Sequence, residues 1–180
     1  YEGALDHFNR LEPIAASPQN TLVAQVGRMR CLRELGRVDE AAAAAEKVVA
    51  NSLSDADLRS EANILIARSL ADKGDLDAAF AKFKAVASGS STARGAEAKY
   101  NMAYIRHLQT QYRKAETEIF ELAQKFPSHD HWKARAFILL GDVYVQLNDL
   151  FQARATLQSV IDNCQEPELV DQARQRLDAI

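Results

Sequence analysis

The sequence predicts an all-α fold, an α-solenoid of antiparallel helix pairs. Three observations point there. A place for a small residue recurs at Gly141, Ala103, Ala67 and Met29, with spacings of 38, 36 and 38 residues. Twelve residues beyond each stands an alanine: Ala153, Ala115, Ala79 and Ala41. Apolar residues then follow at helical spacing, with Leu157, Ile119, Phe83 and Ala45 four residues on and Val160, Leu122, Val86 and Val48 three beyond those. Self-similarity at a fixed period of this size marks stacked supersecondary units, none of which buries its apolar face alone.

Taken in order, every element reads as helix. Tyr1, Ala4, Phe8 and Leu11 fit the second half of a repeat, so residues 1–12 form a half repeat ended by Pro13. Residues 20–51 are the first full pair, turning at Gly36-Arg37. Residues 55–87 are the next, with Ser54 and Asp57 spaced as a capping box and a turn at Gly74-Asp75. Ser88-Gly89-Ser90-Ser91 reads as a short joint. Residues 92–127 form the third pair, stopped by Pro127. Residues 130–163 form the fourth, with Ser128 or Asp130 as the expected cap and Leu147-Asn148-Asp149 as its turn. After Pro167, the stripe Leu169, Ala173, Leu177 and Ile180 suits a capping helix over 167–180. The whole chain reads as one solenoid domain.

The fourth pair shows the packing logic best. Phe137, Leu140, Gly141 and Tyr144 share one helix face, and Ala153, Leu157 and Val160 share another. A missing side chain on one helix and a minimal one on its partner let two backbones approach, while the large residues fill the space around them. This pattern resembles the tetratricopeptide repeat, whose large, Leu-Gly, Tyr and Ala places are filled here by Phe137, Leu140-Gly141, Tyr144 and Ala153. The likeness runs along the chain and is weakest at Arg28-Met29, which replace Leu-Gly. The period of 36–38 also exceeds the family's usual 34. The resemblance implies a right-handed superhelix. The longer period and the phrase ELAQKFPSH resemble bacterial cell-envelope repeat proteins of outer-membrane assembly and Tol–Pal type, which implies the periplasmic side of the envelope rather than the cytoplasm.

Composition sets the remaining bounds. The chain has 180 residues and a net charge of −3, which gives no basic excess for a phosphate backbone. It opens at Tyr1 without methionine, which predicts a piece of a longer protein. No apolar run reaches the roughly 18–20 residues of a membrane helix. Cys31 and Cys164 lack CxxC spacing. Stacked repeats would hold them roughly 30 Å apart at about 10 Å per helix layer, too far for a disulfide.

No catalytic signature is present: no HExxH, no phosphate-cradling glycine loop and no Gly-x-Ser-x-Gly. His129-Asp130-His131 is the one ligand-like cluster. A stable metal site needs three or four converging ligands, so the cluster reads as a polar turn, and no metal or other cofactor is expected. Glu116, Glu118 and Glu121 stand among Lys114 and Lys125 and read as an outer, solvated helix face.

What remains is surface. The resemblance implies that the first helix of each pair lines the concave side and that ligands bind there. Three places before the small residue stand Val26, Ile64, Tyr100 and Ile138; one place after it stand Arg30, Arg68, Tyr104 and Asp142. Arg33, Asn101, His107 and Arg135 fall nearby. Tyrosine and arginine are favoured interface anchors. The chaperone-binding carboxylate clamp of the family is not present: Asn101 and Arg135 suit two of its places, but Ile64, Arg68 and Leu139 occupy the others. The expected function is a non-catalytic scaffold that binds a peptide or protein segment in its groove. The alternative is a docking or regulatory arm of a larger enzyme or envelope-assembly protein. An RNA-binding helical repeat would need a basic groove, which Glu61, Glu97 and Asp142 oppose.

Overall fold

A computed structural model describes all 180 residues. It is all-helical, and the order of elements is that of the predicted pairs. The helices are α1 (Glu2–Ile14), α2 (Pro18–Glu34), α3 (Val38–Ala50), α4 (Ala56–Asp72) and α5 (Leu76–Gly89). They continue with α6 (Ala93–Leu108), α7 (Tyr112–Lys125), α8 (Asp130–Gln146), α9 (Leu150–Asn163) and α10 (Pro167–Asp178). The chain divides into two compact units, Tyr1–Val86 and Ala87–Ile180. In the first, α1 packs on α2, α2 on α3 and α3 on α4, with α2 also touching α4. In the second, each helix from α6 to α10 packs on the next, and the first helix α8 also meets the first helices α6 and α10. Sequential packing of this kind is that of an α-solenoid. No helix is long and apolar enough to cross a membrane.

The repeat is written into the turns. Gly36, Gly74, Thr110 and Asn148 all have φ between 58 and 83°, and they stand 38, 36 and 38 residues apart. Each ends a first helix in the same way. Gly36 N–H donates to Arg33 O and Arg37 N–H to Leu32 O, both at 3.0 Å. The pairs Gly74→Ala71 with Asp75→Leu70, Thr110→His107 with Gln111→Arg106, and Asn148→Val145 with Asp149→Tyr144 repeat it at 2.8–3.0 Å. This is the Schellman arrangement, in which a left-handed residue lets the chain turn back and satisfy carbonyls left over at the helix end. Glycine adopts that conformation without a Cβ clash; Thr110, being β-branched, does so at a cost.

The alanines twelve residues beyond the small place are all buried: Ala41 is 1% exposed, and Ala79, Ala115 and Ala153 are 0%. At Gly141 the close approach is explicit, because an added Cβ would stand 2.7 Å from Leu157 Cγ. In the first unit Met29 is fully buried in the small place, and a different pair of helices comes close at Gly27, where a Cβ would lie 2.3 Å from the Phe8 ring of α1. Ala4, the counterpart of those alanines, is exposed, since α1 packs on α2 alone.

Several local expectations need correction. Helix α1 runs through Pro13 to Ile14, the proline falling in the last turn. Ser17 caps α2 by accepting from Asn20 N–H at 3.2 Å, which places Pro18 in the first turn, where its missing N–H costs nothing. Asp55 caps α4, accepting from Leu58 N–H at 2.8 Å. Ser54 is buried instead and donates to Val48 O at 2.6 Å. Helix α5 extends through Gly89, which shortens the expected joint. His129 occupies the start of α8 without a side-chain cap, so neither Ser128 nor Asp130 serves that role. Glu118 is not on a merely solvated face. It pairs with Lys99, a lysine only 7% exposed, which also donates to Glu121 at 2.5 Å and so ties α6 to α7.

A candidate partner-binding cleft

The second unit holds a cleft of about 380 Å³ where its three first helices meet. Helix α6 contributes Tyr100, Asn101 and Tyr104; α8 contributes Arg135, Ile138, Leu139 and Asp142; α10 contributes Gln172 and Arg176. Helical periodicity explains the placement, since residues three and four apart on α6 and α8 rise from one face. Tyr104 is 42% exposed, and its ring stacks on Tyr100 with centroids 6.4 Å apart. Tyr100 also packs against Trp132, at 5.6 Å. The Arg135 guanidinium lies over the wall these rings form, 4.9 Å from the Tyr100 centroid and 5.2 Å from that of Trp132. Across the cleft, Arg176 Nε donates to both Asp142 oxygens at 2.9 and 3.0 Å. Asn101 donates its amide N–H to Glu97 O at 2.8 Å.

The other predicted surface residues divide clearly. Arg30 donates to Glu61 through Nε at 3.0 Å and through its terminal nitrogen at 2.8 Å, and Arg33 adds a third bond at 3.0 Å. The Glu61 side chain is only 6% exposed, so these bonds satisfy a carboxylate that burial would otherwise disfavour. They also push the Arg30 pKa upward. Arg30 and Arg33 therefore brace α2 against α4, although the sequence placed them among partner-facing residues. Ile64 is buried, and Arg68 is exposed on α4. His107 lies one turn beyond Tyr104 with its ring 5.5 Å from Tyr112, outside the cleft. His129 contacts Ser91 O at 3.2 Å and His131 contacts Glu166 at 2.7 Å, so the two imidazoles of the candidate cluster face different partners.

Residues 135–166, covering most of α8 and all of α9, match the family model for the tetratricopeptide repeat. No curated protein matches the chain by sequence. Solved structures share its fold. BtubC (BKLC) from P. vanneervenii is 17% identical over 99% of this chain and 79% of that one, with a TM-score of 0.76. TTC0263, a thermophilic TPR protein of Thermus thermophilus, is 20% identical over 98% and 90%, with a TM-score of 0.62. MamA is 18% identical over 83% and 90%, with a TM-score of 0.60. At such identities the likeness establishes the fold, and with the matched repeat it supports a TPR protein. Repeats of this family generally mediate protein–protein interaction and act as non-catalytic scaffolds.

Once the TPR register is known, the cleft explains itself. The residue one place after the small position on a first helix meets the next first helix six places before its own small position. Arg30 follows Met29, and Glu61 stands six places before Ala67. Their bidentate pair is the rung between α2 and α4. Between α6 and α8 the same places hold Tyr104 and Arg135, both on the cleft. Between α8 and α10, Asp142 in the first of these places pairs with Arg176. Sequence reasoning missed Trp132, Gln172 and Arg176. Their part in the cleft depends on contacts between neighbouring helices, which reading one helix at a time does not reveal.

Proposed function

We propose that the chain is a protein-interaction module and that the cleft of α6, α8 and α10 receives a peptide or protein segment. The observation that carries this reading is the convergence of Tyr100, Asn101, Tyr104, Arg135, Ile138 and Asp142 on one concavity. Its volume of about 380 Å³ accommodates a few side chains of an extended segment. The tyrosines offer large contact area with little rotamer entropy to lose, and Arg135 offers a planar donor fork already positioned by packing. We also propose the periplasmic side of a bacterial envelope as its compartment, on the strength of the 36–38-residue period and the ELAQKFPSH phrase; cell fractionation with an antibody to the native protein tests this placement.

Panning a displayed random-peptide library on the full chain tests the site. Enriched peptides are expected to lose binding to Tyr104→Ala and to keep it with Phe151→Ala, a residue 79% exposed on the second helix α9. The opposite pattern, or binding indifferent to Tyr104, would move the interface away from the cleft.

A further inference from the structure

Resting on that cleft as the partner site, we propose that the segment it takes is acidic. Arg135 grips an aspartate or glutamate side chain of the partner through the edge of its guanidinium. Other arginines of this unit donate to oxygen atoms of their own chain: Arg106 to Gln111, Arg113 to Glu116, Arg154 to Ile180 O, Arg174 to Asp171 and Arg176 to Asp142. Arg135 makes ring contacts only. A guanidinium carries five N–H donors in its plane, and Arg135, with its Cζ over the Tyr100 and Trp132 rings, spends none of them on an oxygen of its own chain, so those donors are available. A cation held against aromatic rings is partly stripped of water, and a carboxylate arriving in that plane gains two parallel charge-assisted bonds.

The surroundings select for that chemistry. Asp142 is the carboxylate lining the cleft, and both its oxygens already accept from Arg176 Nε. It is therefore not a ready partner for Arg135, and the cleft as a whole carries a cationic excess within a chain of net charge −3. Asn101 gives one amide N–H to Glu97 O, and its side-chain carbonyl is left to accept a backbone N–H of an extended segment. Tyr104 supplies an exposed ring for an apolar neighbour of the acidic residue. A chain-terminal carboxylate requires several converging donors. One open fork, with one N–H of the adjacent Asn101 amide already given to Glu97 O, fits a single acidic side chain inside a segment.

The peptides enriched by panning provide the test. Wild-type protein is expected to select an Asp or Glu at one fixed position beside an apolar residue. Replacing that residue by Asn or Gln, or using Arg135→Gln protein, should weaken binding roughly tenfold to a hundredfold, the range for hydrogen bonds to a charged group. Arg135→Lys should recover only part of it, because a point charge lacks the fork. Amidating the peptide C-terminus should change nothing; a loss on amidation overturns the side-chain assignment. Peptides that depend on Tyr104 yet lack an acidic residue, or that bind Arg135→Gln undiminished, overturn the inference while leaving the cleft as the site. Peptides indifferent to Tyr104 overturn both. A cooperative melt for each variant keeps misfolding from passing as lost binding.

Discussion

The first-helix faces of the two units are built on one register and finished with different chemistry. In unit 1 the rung between α2 and α4 is closed, with Arg30 and Arg33 converging on a Glu61 carboxylate that is nearly sealed from water. In unit 2 the rung between α6 and α8 places Arg135 opposite Tyr104, with no carboxylate to meet it. Glu61 and Arg135 occupy equivalent places, each six residues before its small position. Reversing the charge at that place, and putting tyrosine where Arg30 stood, converts a brace into an open cation on an aromatic wall. A repeat thus specialises one surface without disturbing the packing beneath it.

The largest expected effect separates packing from surface. Gly141→Leu drives a side chain into Leu157 and should cost about 1–3 kcal/mol or more, whereas Met29→Leu in the equivalent place of unit 1 is nearly volume-conserving and should cost less than about 1.5 kcal/mol. Urea denaturation of both variants checks this, and equal costs would undo the structural equivalence. Next comes the closed rung. Arg30→Ala with Arg33→Ala leaves the buried Glu61 carboxylate without those donors and should cost about 1–3 kcal/mol. Arg135→Gln loses only its ring contacts and should cost about 1 kcal/mol or less.

A smaller effect runs in the stabilising direction. The left-handed turn residues are glycine in unit 1, at Gly36 and Gly74, but Thr110 and Asn148 in unit 2. Thr110→Gly should therefore raise stability by about 1 kcal/mol in thermal melts, and Gly36→Thr should lower it by a similar amount. The smallest is a pH effect in unit 1. Burial raises the Glu12 pKa, but the hydrogen bond and charge of Lys47, with help from Gln25 and Arg28, outweigh it and leave a net lowering. A folded-state pKa below the unfolded value means that the unfolded chain binds more protons in that window. The stability contributed is present above the ordinary glutamate range and is lost as pH falls through the lowered value. Protection factors in α1 and α3, with the intrinsic pH dependence of exchange divided out, should fall at acid pH, and Glu12→Gln should flatten that dependence.

The architecture was legible because it rests on local, periodic signals. Gly141 and the alanines twelve residues beyond each small place mark helix crossings, and glycine punctuates two of the four turns. Asn148 stands in a turn the sequence also marked, whereas Thr110 carries no comparable signal, yet the register places both with Gly36 and Gly74. The first helix of unit 1 was harder to read. Met29 fills a place meant for a small residue, and the close approach at Gly27 is made to Phe8 of the preceding helix, a contact visible only in three dimensions. Arg30 and Arg135 have the same side chain, and helix-by-helix reading gave them the same role. Their difference lies in what the neighbouring repeat places opposite, a contact spanning more than thirty residues in the case of Arg30 and Glu61. Arg176 was hidden for the same reason: a helix read as a plain cap supplies one wall of the cleft.

The most direct measurement is hydrogen exchange of the full chain with and without a peptide selected by panning. The open rung predicts added protection in α6, α8 and α10, centred on segments containing Tyr104 and Arg135, and little change in α2 and α4. Protection appearing on α2 and α4, or on the second helices α7 and α9 around Phe151, would contradict it.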